Sequence, residues 1–194
     1  MTDESAQLSD TAVVIVAGGA GRRLGGFSKP DLEVGGVNLL DITLSAVEGA
    51  SAVVIVGGPR RDGALWTVEN PPGSGPAAAV GAGVLALADA GSVAPWTFVL
   101  AVDTPRVARA LLPLLAARRD DGAWMVDADG REQPLLAVYR TESLAARTGT
   151  PLAGVSMRTL VQGLAMVAVP DVHGDSRDID TWDDARHFKE QGND

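Results

Sequence analysis

Residues 17–29 read Ala17-Gly18-Gly19-Ala20-Gly21-Arg22-Arg23-Leu24-Gly25-Gly26-Phe27-Ser28-Lys29, with five glycines, three positive charges and no acid. Glycine lets backbone N–H groups turn inward and approach phosphate oxygens closely. Arginine grips phosphate through parallel hydrogen bonds, and lysine adds a compact point charge. The whole chain carries a net charge of −9, and no Asp or Glu falls between Asp10 and Asp31. An isolated basic, glycine-rich turn in so acidic a chain is expected to bind phosphate. Lys29 is one of only two lysines, against fourteen arginines, which marks it further.

A second candidate is Asp103, which closes the apolar run TFVLAV over 97–102. A carboxylate at the end of a buried strand needs compensation, and a hard divalent cation bridging phosphates supplies it. The competing reading is a cap for the helix that begins near Val107. Asp180 stands equally between a second cation contact and a cap for the helix over 181–191. Asn70, Gly75 and Pro76 lie in or beside the turn-rich stretch ENPPGSG. They are candidates for lining a base pocket, although Asn is also an ordinary turn residue. Arg158 and Arg177 read as solvated side chains, and Trp124, Tyr139 and Trp182 as packing residues.

The elements that must hold these residues follow from hydrophobic patterning. Continuous β-branched runs at 12–17 and 52–56, with 97–102, read as strands buried on both faces, as in parallel sheets. Shorter strands are expected at 123–126, 135–139 and 166–169. Helical spacing is expected over 41–49, 75–90, 107–119, 141–148, 156–164 and 181–191. Alternating strands and helices predict one α/β domain, a mostly parallel sheet with helices on both faces, over 12–192. Residues 1–11 are expected to form a flexible leader. In such sheets ligands sit outside the carboxyl ends of the strands, where the 18–29 turn, the 69–76 loop and Asp103 all fall.

Composition excludes several chemistries. With no cysteine, disulfides, iron–sulfur clusters and a thiol nucleophile are ruled out. The two histidines, His173 and His187, make a zinc site a poor expectation, so any metal should be of the magnesium kind. The acidic balance argues against nucleic acid and anionic membranes as partners. The amino terminus lacks the basic start and apolar run of a signal peptide. The longest apolar stretch, 77–88, is shorter than the ~20 residues a membrane helix needs. A cytoplasmic location is expected. The turn is no Walker loop, since Phe27 stands where lysine is required, and Leu24 spoils a dinucleotide fingerprint.

The turn resembles the signature A-G-G-x-x-x-R-[ML]-G-x-x-x-K of the MobA-like nucleotidyltransferases, with Ala17, Gly18, Gly19, Arg23, Leu24, Gly25 and Lys29 in register. Gly75-Pro76-Ala77-Ala78-Ala79 resembles the family's G-P-L-A-G, Val102-Asp103-Thr104-Pro105 its D-x-P, Gln133-Pro134 its Q-P, and Asp178-Ile179-Asp180-Thr181-Trp182 its N-x-N-T-P segment. The resemblance implies a three-layer α/β/α Rossmann-like domain of the nucleotide-diphospho-sugar transferase type. It implies a magnesium-dependent reaction in which GMP from GTP joins the terminal phosphate of molybdopterin and pyrophosphate leaves. It also implies that Ala17, Gly18, Gly19, Arg23, Lys29, Asn70, Gly75, Pro76 and Asp103 bind nucleotide. Lys29, Arg23 and Asp103 would act in catalysis, and Asp103 and Asp180 would hold the metal. The implied partners are GTP, a molybdopterin-type acceptor and cofactor-handling proteins.

The double glycine Gly18-Gly19 resembles the guanylyl branch. Asn70 in place of an Asp, and Asp178 and Asp180 in place of Asn, depart from the pattern. They leave open CTP, a different phosphorylated acceptor, or a nucleotide-binding protein without catalysis.

Overall fold

The computed structural model describes residues 8–18 and 29–179, together with Asp184 and Phe188. The strands are β1 (Thr11–Val16), β2 (Glu33–Val34), β3 (Val37–Asn38), β4 (Ala52–Val56), β5 (Leu65–Thr67), β6 (Trp96–Ala101), β7 (Gly122–Val126), β8 (Glu132–Arg140) and β9 (Met166–Pro170). The helices are α1 (Leu39–Ala46), α2 (Pro76–Asp89), α3 (Val107–Ala117), α4 (Thr141–Thr148) and the short α5 (Met157–Leu160).

The central sheet has the order β5-β4-β1-β6-β8. β1 runs parallel to β4 and β6, and β5 parallel to β4, whereas β8 runs antiparallel to β6. β7 packs along β8 and pairs in parallel with β9. A tight hairpin joins β7 to β8, with the Asp127 N–H bonded to the Arg131 carbonyl at 3.0 Å. β7 is therefore antiparallel to β8 and runs with β6. The carboxyl ends of β1, β4, β5, β6, β7 and β9 consequently share one edge. The α/β class, with its mostly parallel sheet, is as the sequence predicts. The one reversed strand carries no sequence mark, because β-branched alternation says nothing of direction.

Period-2 alternation within β1 feeds two separate cores. Val13 and Ile15 pack with α1 and α3 residues such as Leu40, Leu111 and Leu114. Ala12, Val14 and Val16 face Val80, Val84 and Leu87 of α2, with Leu144 of α4. Helices therefore cover both faces of the sheet, which is why its inner strands read as unbroken apolar runs. Tyr139 and Trp124 are buried in the second core, so packing is what they do. Burial raises the Tyr139 phenol well above its ordinary range, and its hydroxyl donates to the Pro134 carbonyl at 2.8 Å.

Two expectations need correction. Leu8 is buried in the first core and Thr11 opens β1, so the fold begins before the expected leader ends. The helix expected over 156–164 is only α5, four residues long, because Gly163 takes a left-handed φ of 80° and turns the chain. Among the described residues no helix is long and apolar enough to cross a membrane.

Candidate functional site

The basic turn leaves β1 beside the turn that ends β4, and the two backbones nearly touch. The N–H groups of Ala17 and Gly18 both donate to the Val56 carbonyl, at 2.9 and 3.0 Å. They are thereby committed to protein, and their part is to fix the direction in which the turn departs. N–H groups offered to an anion would have to come from later in the turn. Gly57, with φ 71°, closes the approach: a Cβ there would sit 2.7 Å from the Gly18 Cα and 2.9 Å from its nitrogen. No side chain fits between two backbones so placed. The Gly57 N–H bonds to the Thr67 carbonyl of β5, and the Trp66 indole donates to Gly58, so three strand ends are laced together. Gly19, Arg23 and the rest of the turn to Ser28 lie outside the described residues.

The chain resumes at Lys29, which opens a single 3-10 turn, Lys29–Asp31. Its Nζ donates to the Asp103 Oδ2 at 2.7 Å, and both side chains are 20% exposed. β1 and β6 are adjacent and parallel, so their carboxyl ends bring together two residues far apart in sequence. The pair is half sheltered and still reached from solvent. Asp103 is not a helix cap: the residue preceding α3 is Arg106, and no side chain caps that helix. The Ile179 N–H donates to the Asp103 carbonyl at 2.9 Å, so the segment leading to position 180 is tied to the end of β6. Asp180 itself lies outside the described residues.

The 69–76 loop arrives on the same edge from β5. Asn70 is exposed, Gly75 has φ 99° at the start of α2, and Pro76 is that helix's first residue. No side chain caps α2, and its first residue is a proline, which has no N–H to satisfy. The sequence reading passed over Glu69, which is only 8% exposed and whose Oε1 accepts the Gly73 N–H at 2.9 Å. That bond closes the loop. Its only sequence sign was an acid four residues ahead of a glycine in a proline-rich turn. Arg158 and Arg177 are exposed, as expected.

Asp103 offers one carboxylate at this edge. Among the described residues no group of three or more His, Cys, Asp or Glu side chains gathers to cage a metal. A lone carboxylate with phosphate oxygens and water is a donor set that suits magnesium, which is held by one or two carboxylates plus substrate phosphates.

At the far side of the edge, Asp171 follows β9. Its two oxygens accept the N–H groups of His173, Asp175 and Ser176 and the Ser176 hydroxyl, at 2.6–3.2 Å. Burial would raise this carboxyl, but those four bonds outweigh it and leave the group below its ordinary value.

Residues 13–167 match the MobA-like NTP transferase domain. A probable molybdenum cofactor guanylyltransferase of Opitutus terrae is 38% identical over 149 residues, 73% of this chain and 72% of that protein. One of the same description from Mycobacterium tuberculosis is 36% identical over 160 residues, 77% of this chain and 76% of that one. Among solved structures, the Archaeoglobus fulgidus molybdopterin-guanine dinucleotide biosynthesis protein A superposes with a TM-score of 0.69 at 21% identity, covering 93% of this chain and 98% of that one. A 2-C-methyl-D-erythritol 4-phosphate cytidylyltransferase of Francisella tularensis reaches 0.70 at 15% identity, covering 93% and 99%, so the fold is shared beyond one substrate. With the family match running from Val13 in β1 to Val167 in β9, and relatives at 36–38% identity over about three quarters of the chain, the chain belongs to the MobA-like NTP transferase family of nucleotidyltransferases.

Proposed function

We propose that this chain is a magnesium-dependent molybdenum cofactor guanylyltransferase of the cytoplasm, whose catalytic unit is a single domain that takes in Leu8 to Thr11 as well as the expected 12–192. The observation that carries the reading is the Lys29–Asp103 pair at 2.7 Å on the carboxyl edge, where the turn and the 69–76 loop also end. Relatives at 36–38% identity that bear this activity in their names support the choice of substrates.

In the reaction an oxygen of the acceptor's terminal phosphate attacks the α-phosphorus of GTP. The bond from that phosphorus to the bridging α–β oxygen breaks, and pyrophosphate leaves with the electron pair. No protein nucleophile is needed, so the work lies in positioning and charge stabilisation. Lys29 and Arg23 neutralise charge on the α-phosphate and on the departing pyrophosphate. Gly19 and the following amides cradle the phosphates, with Ala17 and Gly18 anchoring the turn. Asn70, Gly75 and Pro76 border the base, at the N-terminus of α2. Magnesium, when bound at Asp103 with Asp180 as the second contact, supplies charge neutralisation and alignment of the two phosphates.

The test is pyrophosphate release with GTP, CTP, ATP or UTP in the presence of magnesium and molybdopterin. GTP alone should support turnover. Preference for CTP would move the chain to cytidylyl transfer, and nucleotide binding without pyrophosphate from any phosphorylated acceptor would make it a binding protein.

A further inference from the structure

A cavity of about 400 Å³ lies between α3, the ends of β7 and β9, and the loop after β9. That volume lies within the usual range of ~300–1,000 Å³ for small-molecule pockets. Leu112, Pro113, Met125, Pro170 and Val172 form much of its wall, which is apolar. Asp175 enters it as a buried polar group, 5% exposed, and its Oδ1 has no hydrogen-bond partner. A buried carboxylate oxygen left in this state is costly unless something donates to it. Among the described residues Arg109 is the cation paired with it, with Nη1 at 3.9 Å from that oxygen, too far for a hydrogen bond. The Arg109 side chain is 66% exposed and stands at the mouth.

These features select among ligands. A metal ion finds only one available carboxylate, because both oxygens of the neighbouring Asp171 are occupied by loop donors. Arg109 also opposes any cation. The guanidinium already compensates much of the Asp175 charge, so a neutral N–H donor suffices. The partner best matched to a buried acceptor beside a guanidinium is an edge with an N–H donor next to a carbonyl. The apolar walls suit a flat ring.

We propose that the Asp175–Arg109 cavity binds the 2-amino-4-oxopyrimidine edge of a fused heterocycle, the N–H side on Asp175 and the carbonyl on Arg109. Guanine and the pterin of the acceptor share this chemistry. Two short stretches of chain connect the cavity to the Lys29–Asp103 pair. One runs from Asp103 along the start of α3 to Arg109, and the other from Asp175 to Ile179, whose N–H holds the Asp103 carbonyl. Naming pterin as one of the two sources rests on the guanylyltransferase reading; the edge chemistry does not.

The test is fluorescence titration of the full chain with 6-carboxypterin, with guanosine as competitor, for the wild type, Asp175→Ala, Asp175→Asn and Arg109→Ala. Melting temperature serves as the folding control. The wild type should bind the pterin, Asp175→Ala should bind it at least tenfold more weakly, and Arg109→Ala should weaken it less. Asp175→Asn, which keeps an acceptor oxygen, should fall between and serves if the alanine variant does not fold. Pterin binding that guanosine fails to displace, with GTP affinity intact in Asp175→Ala, assigns the cavity to the acceptor. Displacement by guanosine, with GTP affinity lost in Asp175→Ala, assigns it to the nucleotide base and removes the base from the border of Asn70, Gly75 and Pro76. Equal pterin and GTP affinities in wild type and every variant, or no pterin binding and no effect on GTP, would overturn the proposal. Asp175 and Arg109 would then be a plain ion pair. Pterin binding through Asp175 in a chain that releases no pyrophosphate from GTP would refute the enzyme reading alone.

Discussion

The two ends of the carboxyl edge are built by opposite means. On the side of β1 and β4, loops are shaped by backbone against backbone, as where Gly57 lies on Gly18, and only the loop after neighbouring β5 is closed by a carboxylate, that of Glu69. On the side of β7 and β9, loops are shaped by aspartates that take up backbone N–H groups. Asp171 does so after β9, and Asp127 after β7 accepts from Asp129, Arg131 and Gln133. The difference bears on what each end can offer a ligand. A loop closed by its own carboxylate has spent its amides, and must recognise a partner with side chains. A loop closed by glycine contact keeps side chains out of the way and can turn its remaining amides toward an anion.

The largest effect that tests this contrast is on rate. Lys29→Ala should lower pyrophosphate release by roughly 10²–10³-fold, the loss expected for one preorganised donor to developing charge. The fold should stay intact, read as a cooperative thermal melt, because the Asp103 carboxylate left behind is still reached from solvent. Unchanged release would detach the basic turn from the chemistry. Next is Gly57→Val, which forces a branched side chain into a positive φ and onto the Gly18 backbone. A cost of about 2–4 kcal/mol follows, with weaker GTP binding, readable by thermal melts and nucleotide titration. A neutral outcome would mean that the glycine contact is incidental.

Asp171→Ala removes the acceptor of four bonds and should cost about 1–3 kcal/mol while GTP affinity stays as it was. Loss of GTP binding would show that the two ends are not separate. The same carboxyl predicts a pH effect. Its folded pKa lies below its unfolded value, so its contribution is complete above the unfolded value near ~3.9 and disappears as pH falls through the folded one. Melts between pH 7 and pH 3 should therefore show the wild type losing more stability than Asp171→Asn. The smallest effect belongs to Asp129→Ala at the β7–β8 hairpin. Its ion pair with Arg131 has both side chains about 70% exposed, and its loss should stay within ~0.5 kcal/mol.

The first end was far more legible in the sequence than the second. The apolar run at 52–56 is β4, and the run at 12–17 is β1 shifted by one residue. Both are buried on two faces, so neither hydrophobic content nor β-branching had a competing explanation. Lys29 and Asp103 could be paired in advance because strand ends converge and the chain holds so few lysines. Glu69 and Asp175 could not be found this way. Their burial depends on how polar loops fold back, and loop sequences do not encode depth. The small β2–β3 hairpin went unread for a related reason, since two-residue strands show no period. The cap reading of Asp103 gave way because α3 starts at Val107 as expected and its cap position is Arg106, three residues past Asp103.

One bond has a consequence for the order in which this molecule is made. The Ile179 amide grips the end of β6, so residues made after β9 complete a centre begun at β1. A nascent chain that has reached α4 already owns its five central strands and much of both cores, while this clasp on Asp103 has yet to emerge. Ribosome-stalled chains ending before and after residue 179 should differ in nucleotide turnover far more than in resistance to protease. Such an arrangement would keep half-made copies from consuming triphosphate.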